Sequence, residues 1–243
     1  MSSRARPAYT RAMTTSGARV LLITGGSSGI GEATARAAVS AGWHVALGAR
    51  SRDKLDSLEH ELGRERALAF RCDVTEWDEQ RAFVDATIDR FGRLDAAWAN
   101  AGFGGDRSFL ASTPEHWKAM VLTNVYGAAL TVRATLPLLK EARGHLLLTG
   151  SVAGRRPIVG SLYSATKHAV HAIGEAARLE LSGTGVRVTL IAPGMVDTPF
   201  FAKVPLDAPL DPEDVARAVL YALEQPPHVD VNEILVRPTA QEL

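Results

Sequence analysis

An α/β fold, with a doubly wound parallel β-sheet covered by helices on both faces, is the fold class that this sequence predicts. Apolar segments of strand length alternate regularly with amphipathic segments of helix length along most of the 243 residues. The strand segments are apolar, which is typical of parallel strands that are buried on both faces. Glycine-rich or polar residues follow several strands, where ligand sites lie in folds of this class.

The first strand, the glycine turn after it and the next helix form a candidate anion site. Residues 20–24 predict a short buried strand, residues 25–28 a tight turn, and residues 29–31 the start of a helix. Glycine lets backbone N–H groups approach a pyrophosphate, and the N-terminal end of the helix dipole favours its charge. A purely structural turn is the alternative. The cofactor-binding residues predicted here are Gly25, Ser27, Ser28, Gly29, Ile30 and Gly31.

The remaining elements follow from hydrophobic periodicity. Strands are predicted over residues 44–49, 67–72, 94–99, 146–149, 186–192 and 234–236, and helices over residues 52–62, 76–91, 114–139, 162–181 and 212–223. Leu55, Leu58 and Leu62 share one face of the second helix. Pro137 lies near the end of the 114–139 helix, where a helix stop is tolerable.

Residues 1–17 differ in composition from the rest of the chain, because they contain three arginines and no acidic residue. We expect a disordered lead-in here, with a transit peptide as the alternative. Met13 is an alternative start to Met1. A single catalytic domain is expected over residues 18–243.

The composition is that of an ordinary globular protein, with 46% hydrophobic residues, 22% charged residues and a formal net charge of zero. The balanced charge gives no support for a nucleic-acid or membrane partner, and no apolar run approaches the length of a membrane span. Cys72 is the only cysteine, so an intrachain disulfide is impossible and a reducing, cytoplasmic location is expected. No metal site is predicted.

Arg50 decides the predicted cofactor. It follows the second strand, 19 residues beyond Gly31 (50 − 31 = 19), about where a dinucleotide fold meets the adenosine ribose. A carboxylate there favours a free 2′-hydroxyl, whereas an arginine accepts a 2′-phosphate. The sequence therefore favours NADP(H) over NAD(H), with a solvated surface arginine as the alternative. Asp53 lies at the next helix start, where a capping role is expected.

Two further segments follow strands on the same predicted edge of the sheet. Asp73 and Val74 come after the third strand, where an adenine base is expected, although a turn-capping aspartate is an equal alternative. Asn100, Ala101 and Gly102 come after the fourth strand, where small residues let the backbone pass close to a cofactor. Each of these signals is weak without the others.

Tyr163 and Lys167 form the strongest candidate for chemistry. Their spacing of four places both side chains on one face of a helix, one turn apart. A nearby ammonium and an oxidised nicotinamide ring favour the phenolate, which then exchanges a proton with a substrate oxygen. Ser151, after the fifth strand, is placed to hydrogen-bond that oxygen, and the amide of Asn124 to hold a water that links Lys167 to solvent. An ordinary amphipathic face is the alternative for the Tyr/Lys pair.

Together these motifs resemble those of the short-chain dehydrogenase/reductases. The matching features are T-G-G-S-S-G-I-G at 24–31, A-N-A-G at 99–102, Asn124, Ser151, Y-S-A-T-K at 163–167 and P-G at 193–194. They occur in the family's order, and the resemblance covers residues 18–243.

The resemblance implies a seven-stranded Rossmann fold and hydride transfer between a nicotinamide and a small-molecule carbonyl or alcohol. It implies a catalytic tetrad of Asn124, Ser151, Tyr163 and Lys167, with Tyr163 and Lys167 also contacting the cofactor. It also implies that four residues contact the carboxamide end of the nicotinamide: Pro193, Gly194, Val196 and Thr198. It further implies pairing of the 114–139 and 162–181 helices in a homodimer or homotetramer.

Three positions depart from the family pattern. Trp98 and Ala99 stand where Val-Asn is usual, so one strand-stabilising asparagine is absent. Ser28 occupies the position of an additional basic residue in some members, which leaves Arg50 as the main phosphate anchor. Ser151 and Tyr163 are twelve residues apart (163 − 151 = 12), one fewer than the pattern leads us to expect, so the role of Ser151 depends on the loop between them.

Substrate selection is expected from the loops after strands four, five and six. The predicted pocket residues are Phe103, Val152, Ile158, Val159, Met195 and Phe200, which favour hydrophobic bulk around the substrate carbonyl. Arg155 or Arg156 offers the alternative of a substrate carboxylate. Other functions remain open on the same fold: a cofactor-binding sensor without turnover, and a dehydratase or epimerase that uses the nicotinamide transiently.

Overall fold

The computed structural model describes residues 17–105, 108–201, 204 and 206–241. These residues contain seven strands in one sheet: β1 Val20–Thr24, β2 His44–Ala49, β3 Ala67–Arg71, β4 Ala96–Ala99, β5 His145–Thr149, β6 Arg187–Pro193 and β7 Glu233–Val236. The strand order is β3-β2-β1-β4-β5-β6-β7, and every neighbouring pair is parallel. The lead-in predicted at the start of the chain lies almost wholly outside the described residues.

Helices cover both faces of this sheet, which confirms the predicted fold class. They are α1 Gly29–Ser40, α2 Arg52–Leu62, α3 Trp77–Phe91, α4 Pro114–Val121, α5 Ala128–Ala142, α6 Leu162–Glu180 and α7 Pro212–Glu224. Side chains of successive strand residues point to opposite faces. Leu21 packs in a core with α1, α2 and α7, and Leu22 packs in a second core with α3, α5 and α6.

The point where the strand order reverses lies at β1. This strand pairs with β2 on one side and with β4 on the other, so that Leu22 lies beside both Ala46 and Ala97. The carboxyl ends of β1, β2 and β4 therefore meet at one edge of the sheet. In an open α/β sheet this crevice is where ligands bind.

The segment predicted as one helix from residue 114 contains a π-helical turn, Leu122–Gly127, between α4 and α5. The buried side chain of Gln80 explains how this turn is stabilised, because its Nε2 donates to the carbonyl of Gly127 at 2.9 Å. Thr131 Oγ1 donates to the same carbonyl at 3.0 Å. A helical-periodicity argument cannot detect this change of pitch, which depends on a side chain from α3.

Gly48 in β2 provides a test of the packing that supports the site. A Cβ at this position would lie 2.5 Å from Cε1 of Phe83, a fully buried ring. We expect Gly48→Ala to lower the free energy of unfolding by about 1–3 kcal/mol, because the core has no room for the added methyl group. Urea unfolding measures this loss. The double variant Gly48→Ala with Phe83→Leu should lose less free energy of unfolding than the two single variants added together. A Gly48→Ala variant with the urea midpoint of the wild type contradicts the prediction.

No helix in the described part of the chain is both long enough and apolar enough to cross a membrane.

Candidate active site

The glycine turn after β1 has the backbone conformation that the sequence predicts. Gly25 and Gly29 have φ angles of +68° and +53°, in the left-handed region that favours glycine. The amides of Gly25 and Gly26 both donate to the carbonyl of Gly48, at 2.7 and 3.2 Å, which ties the turn to β2. A Cβ on Gly31 would lie 2.3 Å from the Gly25 carbonyl oxygen, so only glycine fits where α1 begins.

A cavity of about 580 Å³ extends from this turn, past the ends of the strands, to Tyr163 and Lys167. The predicted cofactor-binding residues that line it are Gly25, Ser27, Ser28, Gly29, Ile30, Gly31, Arg50, Asp73, Val74, Asn100, Ala101, Gly102, Tyr163, Lys167, Pro193, Gly194, Val196 and Thr198. The structure therefore brings the whole predicted set into one crevice at the switch point of the sheet.

The crevice has the chemistry of a dinucleotide site at its outer end. Within the described residues, the Ser28 side chain makes no capping hydrogen bond to α1, so the first-turn amides keep their anion-binding capacity. Arg50 is exposed at the cavity wall and forms no ion pair with any described residue. Arg52, by contrast, pairs with Asp56 at 2.8 Å. Arg50 is thus a cation that the fold leaves available to a ligand.

Residues in the loops after β3 and β4 line the cavity and also stabilise these loops through hydrogen bonds. Asp73 Oδ1 accepts from the amide and the hydroxyl of Thr75, so its turn-capping role is observed. Asn100 links three strand ends: its Nδ2 donates to the Thr24 carbonyl at 3.1 Å, and its Oδ1 accepts from Thr149 Oγ1 at 3.0 Å. Thr24 Oγ1 in turn accepts from the Asn100 and Ala101 amides.

Tyr163 and Ser151 meet at the inner end of the cavity. Both residues line the cavity there, and the loop between them contains a 3-10 turn, Val152–Gly154. Ser151 Oγ accepts from the Ala153 amide at 3.1 Å and donates to the Pro193 carbonyl at 3.5 Å. Burial raises the pKa of Tyr163 to about 12, and the nearby Ser151 hydroxyl lowers it in part. The phenol is therefore protonated at neutral pH.

Lys167 lies one helical turn beyond Tyr163, as predicted. Its Nζ donates to the Thr149 carbonyl at 2.7 Å and lies 5.6 Å from the centroid of the Tyr163 ring. Burial lowers the pKa of Lys167 to about 8, which still leaves the ammonium as the main form at neutral pH. The ammonium was predicted to favour the phenolate and so to lower the pKa of Tyr163. The pKa is raised instead, because desolvation of the phenol is the largest influence on it.

Asn124 lies in the π-helical turn, and its side chain fixes the loop after β4 against α6. Oδ1 accepts from the Phe103 amide at 3.0 Å, while Nδ2 donates to the Phe103 carbonyl at 2.9 Å and to Thr166 Oγ1 at 3.1 Å. Both N–H donors are thus used, and Oδ1 keeps one lone pair for the predicted water.

The substrate side of the cavity is mainly apolar. Phe103, Val152, Ile158, Met195, Phe200 and Phe201 line it, and the Phe200 ring packs edge-on against the Tyr163 ring at 5.5 Å between centroids. Val159 differs from the prediction: it lies in the turn before α6 with 86% of its surface exposed and outside the cavity wall. Arg155 forms ion pairs with Glu233 and Glu175, and neither it nor Arg156 lines the cavity.

Comparison with known proteins identifies the family. The family model described as short chain dehydrogenase matches residues 19–208. An uncharacterized oxidoreductase of Staphylococcus aureus (strain MW2) is 40% identical over 224 residues, which cover 90% of this chain and 97% of that relative. The chain belongs to the short-chain dehydrogenase family.

Solved structures of short-chain dehydrogenases and reductases share the fold. An alcohol dehydrogenase from the archaeon Thermococcus sibiricus, complexed with 5-hydroxy-NADP, has a TM-score of 0.86 and 34% identity, covering 93% of this chain and 98% of that one. A 3-ketoacyl-(acyl-carrier-protein) reductase from Brucella melitensis, complexed with NADH, has a TM-score of 0.84 and 28% identity, covering 90% and 97%. The likeness in fold thus spans proteins with different nicotinamide cofactors.

Several residues of this short-chain dehydrogenase site have no signal in the sequence motifs. The Thr149 carbonyl accepts a hydrogen bond from Lys167 Nζ. Gln241 lines the cavity, and its Oε1 accepts a hydrogen bond from the Met195 amide at 2.8 Å. His171 packs beneath the Ser151 loop, and its Nε2 accepts from the Ser151 amide at 3.3 Å. The sequence signal for His171 was its spacing: Tyr163, Lys167 and His171 follow one another at intervals of four residues, which places all three on one helix face.

Among the described residues, no group of three or more His, Cys, Asp or Glu side chains is placed to hold a metal ion.

Proposed function

We propose that this protein is an NADP(H)-dependent oxidoreductase that transfers hydride between the nicotinamide and a carbonyl or alcohol substrate. The observation that carries the proposal is the meeting of Tyr163, Ser151 and Lys167 at the inner end of a cavity whose outer end contains the glycine turn and Arg50. Family membership supports the oxidoreductase class. The preference for NADP(H) and the role of Tyr163 rest on the geometry of these residues.

In the direction of reduction, Tyr163 serves as the general acid. Its phenol holds a proton at neutral pH and gives that proton to the substrate oxygen. Ser151 Oγ donates a hydrogen bond to the same oxygen, where negative charge develops. The Lys167 ammonium stabilises the phenolate that remains on Tyr163. A bound nicotinamide supplies the hydride, or accepts it in the reverse direction.

The cofactor preference follows from the free guanidinium of Arg50. Its fork of N–H donors suits a phosphate group, and in the described structure no carboxylate competes for it. The solved relatives do not decide this point, because one is complexed with an NADP derivative and another with NADH. The proposal of NADP(H) therefore depends on this chain's own residue.

For the substrate, we propose a small molecule with hydrophobic bulk beside its carbonyl. Phe103, Ile158 and Phe200 supply the apolar wall, and the ion pair of Arg155 with Glu233 removes one of the two candidate carboxylate partners. We further propose a homodimer or homotetramer in the cytoplasm. Exposed apolar side chains on the α4–α5 surface, including Leu122 at 36% and Tyr126 at 46% exposure, support pairing through these helices.

A cofactor-oxidation assay tests the proposal. Nicotinamide absorbance is followed with NADPH and then with NADH, across a panel of aldehydes, ketones and oxo acids. We expect substrate-dependent NADPH consumption, greatest for compounds with apolar substituents. Consumption of NADH in preference to NADPH contradicts the cofactor assignment. Tight NADPH binding without turnover of any compound favours a sensor over an enzyme.

A further inference from the structure

His171 is buried beneath the loop that carries Ser151. The residue lies on α6, two turns beyond Tyr163, and is 3% exposed. The Ser151 amide donates to its Nε2 at 3.3 Å. A Cβ at Gly150 would lie 2.3 Å from Nε2, and one at Gly154 would lie 2.7 Å from the ring. The imidazole therefore lies between Gly150 and Gly154, and a larger residue at either glycine would collide with the ring.

The contact requires a neutral imidazole. Because Nε2 accepts a proton from the Ser151 amide, the remaining ring hydrogen belongs on Nδ1. Nδ1 has no hydrogen-bond partner among the described residues and lies 3.9 Å from Glu233 Oε1. A protonated ring has donors on both nitrogens, so the Ser151 amide would then face an N–H group rather than an acceptor.

Burial and four nearby charged or titratable groups influence the pKa of the His171 ring. Glu233, at the start of β7, favours the imidazolium, whereas Arg155 in the loop after β5 and Lys167 and His168 on α6 disfavour it. Arg155 also pairs with Glu233, which weakens the attraction of that carboxylate for the ring. Burial is the largest influence and lowers the pKa of His171 below its ordinary value. The neutral ring is thus the stable form at neutral pH.

We propose that His171 is a positioning residue that holds Ser151 in place through its neutral imidazole, so that protonation of the ring releases the Ser151 backbone and reduces turnover in acid. The inference rests on the proposed function, in which Ser151 orients the substrate oxygen. The backbone amide and the hydroxyl of Ser151 belong to one residue, so a shift of the first misaligns the second. Loss of alignment lowers kcat more than cofactor affinity, because His171 is not part of the cavity wall.

Steady-state kinetics over a range of pH test the kinetic part of the proposal. We expect kcat of the wild type to fall about tenfold in acid, once the ring is protonated, and because the His171 pKa is lowered this limb lies below the ordinary range of a histidine. His171→Gln keeps an acceptor that does not titrate, so it should retain kcat at neutral pH and lose this acid limb. His171→Leu removes the acceptor and should lower kcat about tenfold at neutral pH, with an unchanged NADPH dissociation constant. An identical acid limb in wild type and His171→Gln overturns the proposal.

Three further variants separate positioning from general effects on α6 and β7. Glu233→Gln removes the group that favours the imidazolium, so the acid limb should move to lower pH. Glu175→Gln removes only the more distant partner of Arg155, at 3.7 Å, and should leave the limb unchanged. His168→Gln removes the smallest of the influences on the ring, from an exposed histidine on the same helix, so the limb should persist and move at most slightly to higher pH. A limb that follows His168 rather than His171 overturns the assignment.

Nitrogen NMR of protein labelled in the histidine rings tests the contact without any substrate. The His171 signals, assigned by their absence in His171→Gln, should show protonated Nδ1 and unprotonated Nε2 at neutral pH. The reverse tautomer, or an imidazolium at neutral pH, overturns the proposal even in an active enzyme. A chain with the expected tautomer and no turnover on any compound contradicts the proposed function instead, so the two failures are distinguishable.

Discussion

Replacing Tyr163 with Phe should lower kcat by about 10²- to 10⁴-fold, the range expected when a positioned general acid is removed. The ring is retained, so its edge-on contact with Phe200 and its share of the buried surface should persist. Only the hydroxyl near Ser151 is lost. The dissociation constant for NADPH, measured by nicotinamide fluorescence, should change by less than about threefold, since one neutral hydrogen bond contributes little net free energy.

A matched control for this variant is Tyr221→Phe. Tyr221 lies on α7 with 58% of its surface exposed and outside the cavity wall, so the same chemical change there should leave kcat unaltered. Thermal unfolding of both variants reports whether the fold survives the substitution. Turnover of Tyr163→Phe near the wild-type rate, with an intact fold, would show that another group supplies the proton.

The sheet and the outer end of the site could be predicted because they depend on local sequence. Strand β2 and helix α2 occupy the predicted residues, since their patterns end at clear polar boundaries. The glycine turn requires positive φ angles at Gly25 and Gly29, and this requirement is visible in the sequence as glycine itself. Tyr163 and Lys167 share a helix, so their juxtaposition follows from helical geometry alone.

The contacts that fix the inner end of the site depend on pairs of residues far apart in the chain. Asn124 and Phe103 are 21 residues apart, and Ser151 and His171 are 20 apart. Periodicity assigns each residue to an element, but which atoms meet depends on how α5 and α6 pack against the sheet. The sequence therefore did not show that the Asn124 amide also holds the loop after β4.

The pKa values of Tyr163 and Lys167 were predicted less well than their positions, because they also depend on packing between distant parts of the chain. A sequence shows that Lys167 is near Tyr163, and this suggests an easily ionised phenol. It does not show how far the surrounding packing desolvates each group, which raises the pKa of the phenol to about 12 and lowers that of the amine to about 8. Desolvation disfavours each charged form, and its size depends on the packing around the pair. A raised pKa keeps the phenol protonated at neutral pH, which is the form that the proposed general acid needs.

The second large effect is expected from Arg50→Asp, which should shift the cofactor preference from NADPH toward NADH by about 100-fold or more in the ratio of kcat/KM values. The change removes the only charge that we assign to the 2′-phosphate and places a carboxylate in its position. A carboxylate repels the phosphate and accepts a hydrogen bond from a free ribose hydroxyl. Both effects act in the same direction, one against NADPH and one in favour of NADH.

Arg52→Asp is the matched control, because it reverses the charge of a neighbouring arginine that already pairs with Asp56. Exposed ion pairs contribute little to stability, so this variant should fold normally and keep the wild-type cofactor ratio within about twofold. Dissociation constants measured by nicotinamide fluorescence provide the same comparison without a substrate. If Arg50→Asp and Arg52→Asp reduce NADPH affinity equally, the effect is one of general charge and not of a phosphate seat at Arg50. If only Arg50→Asp does so, the guanidinium left unpaired by the fold is the group that distinguishes the two cofactors.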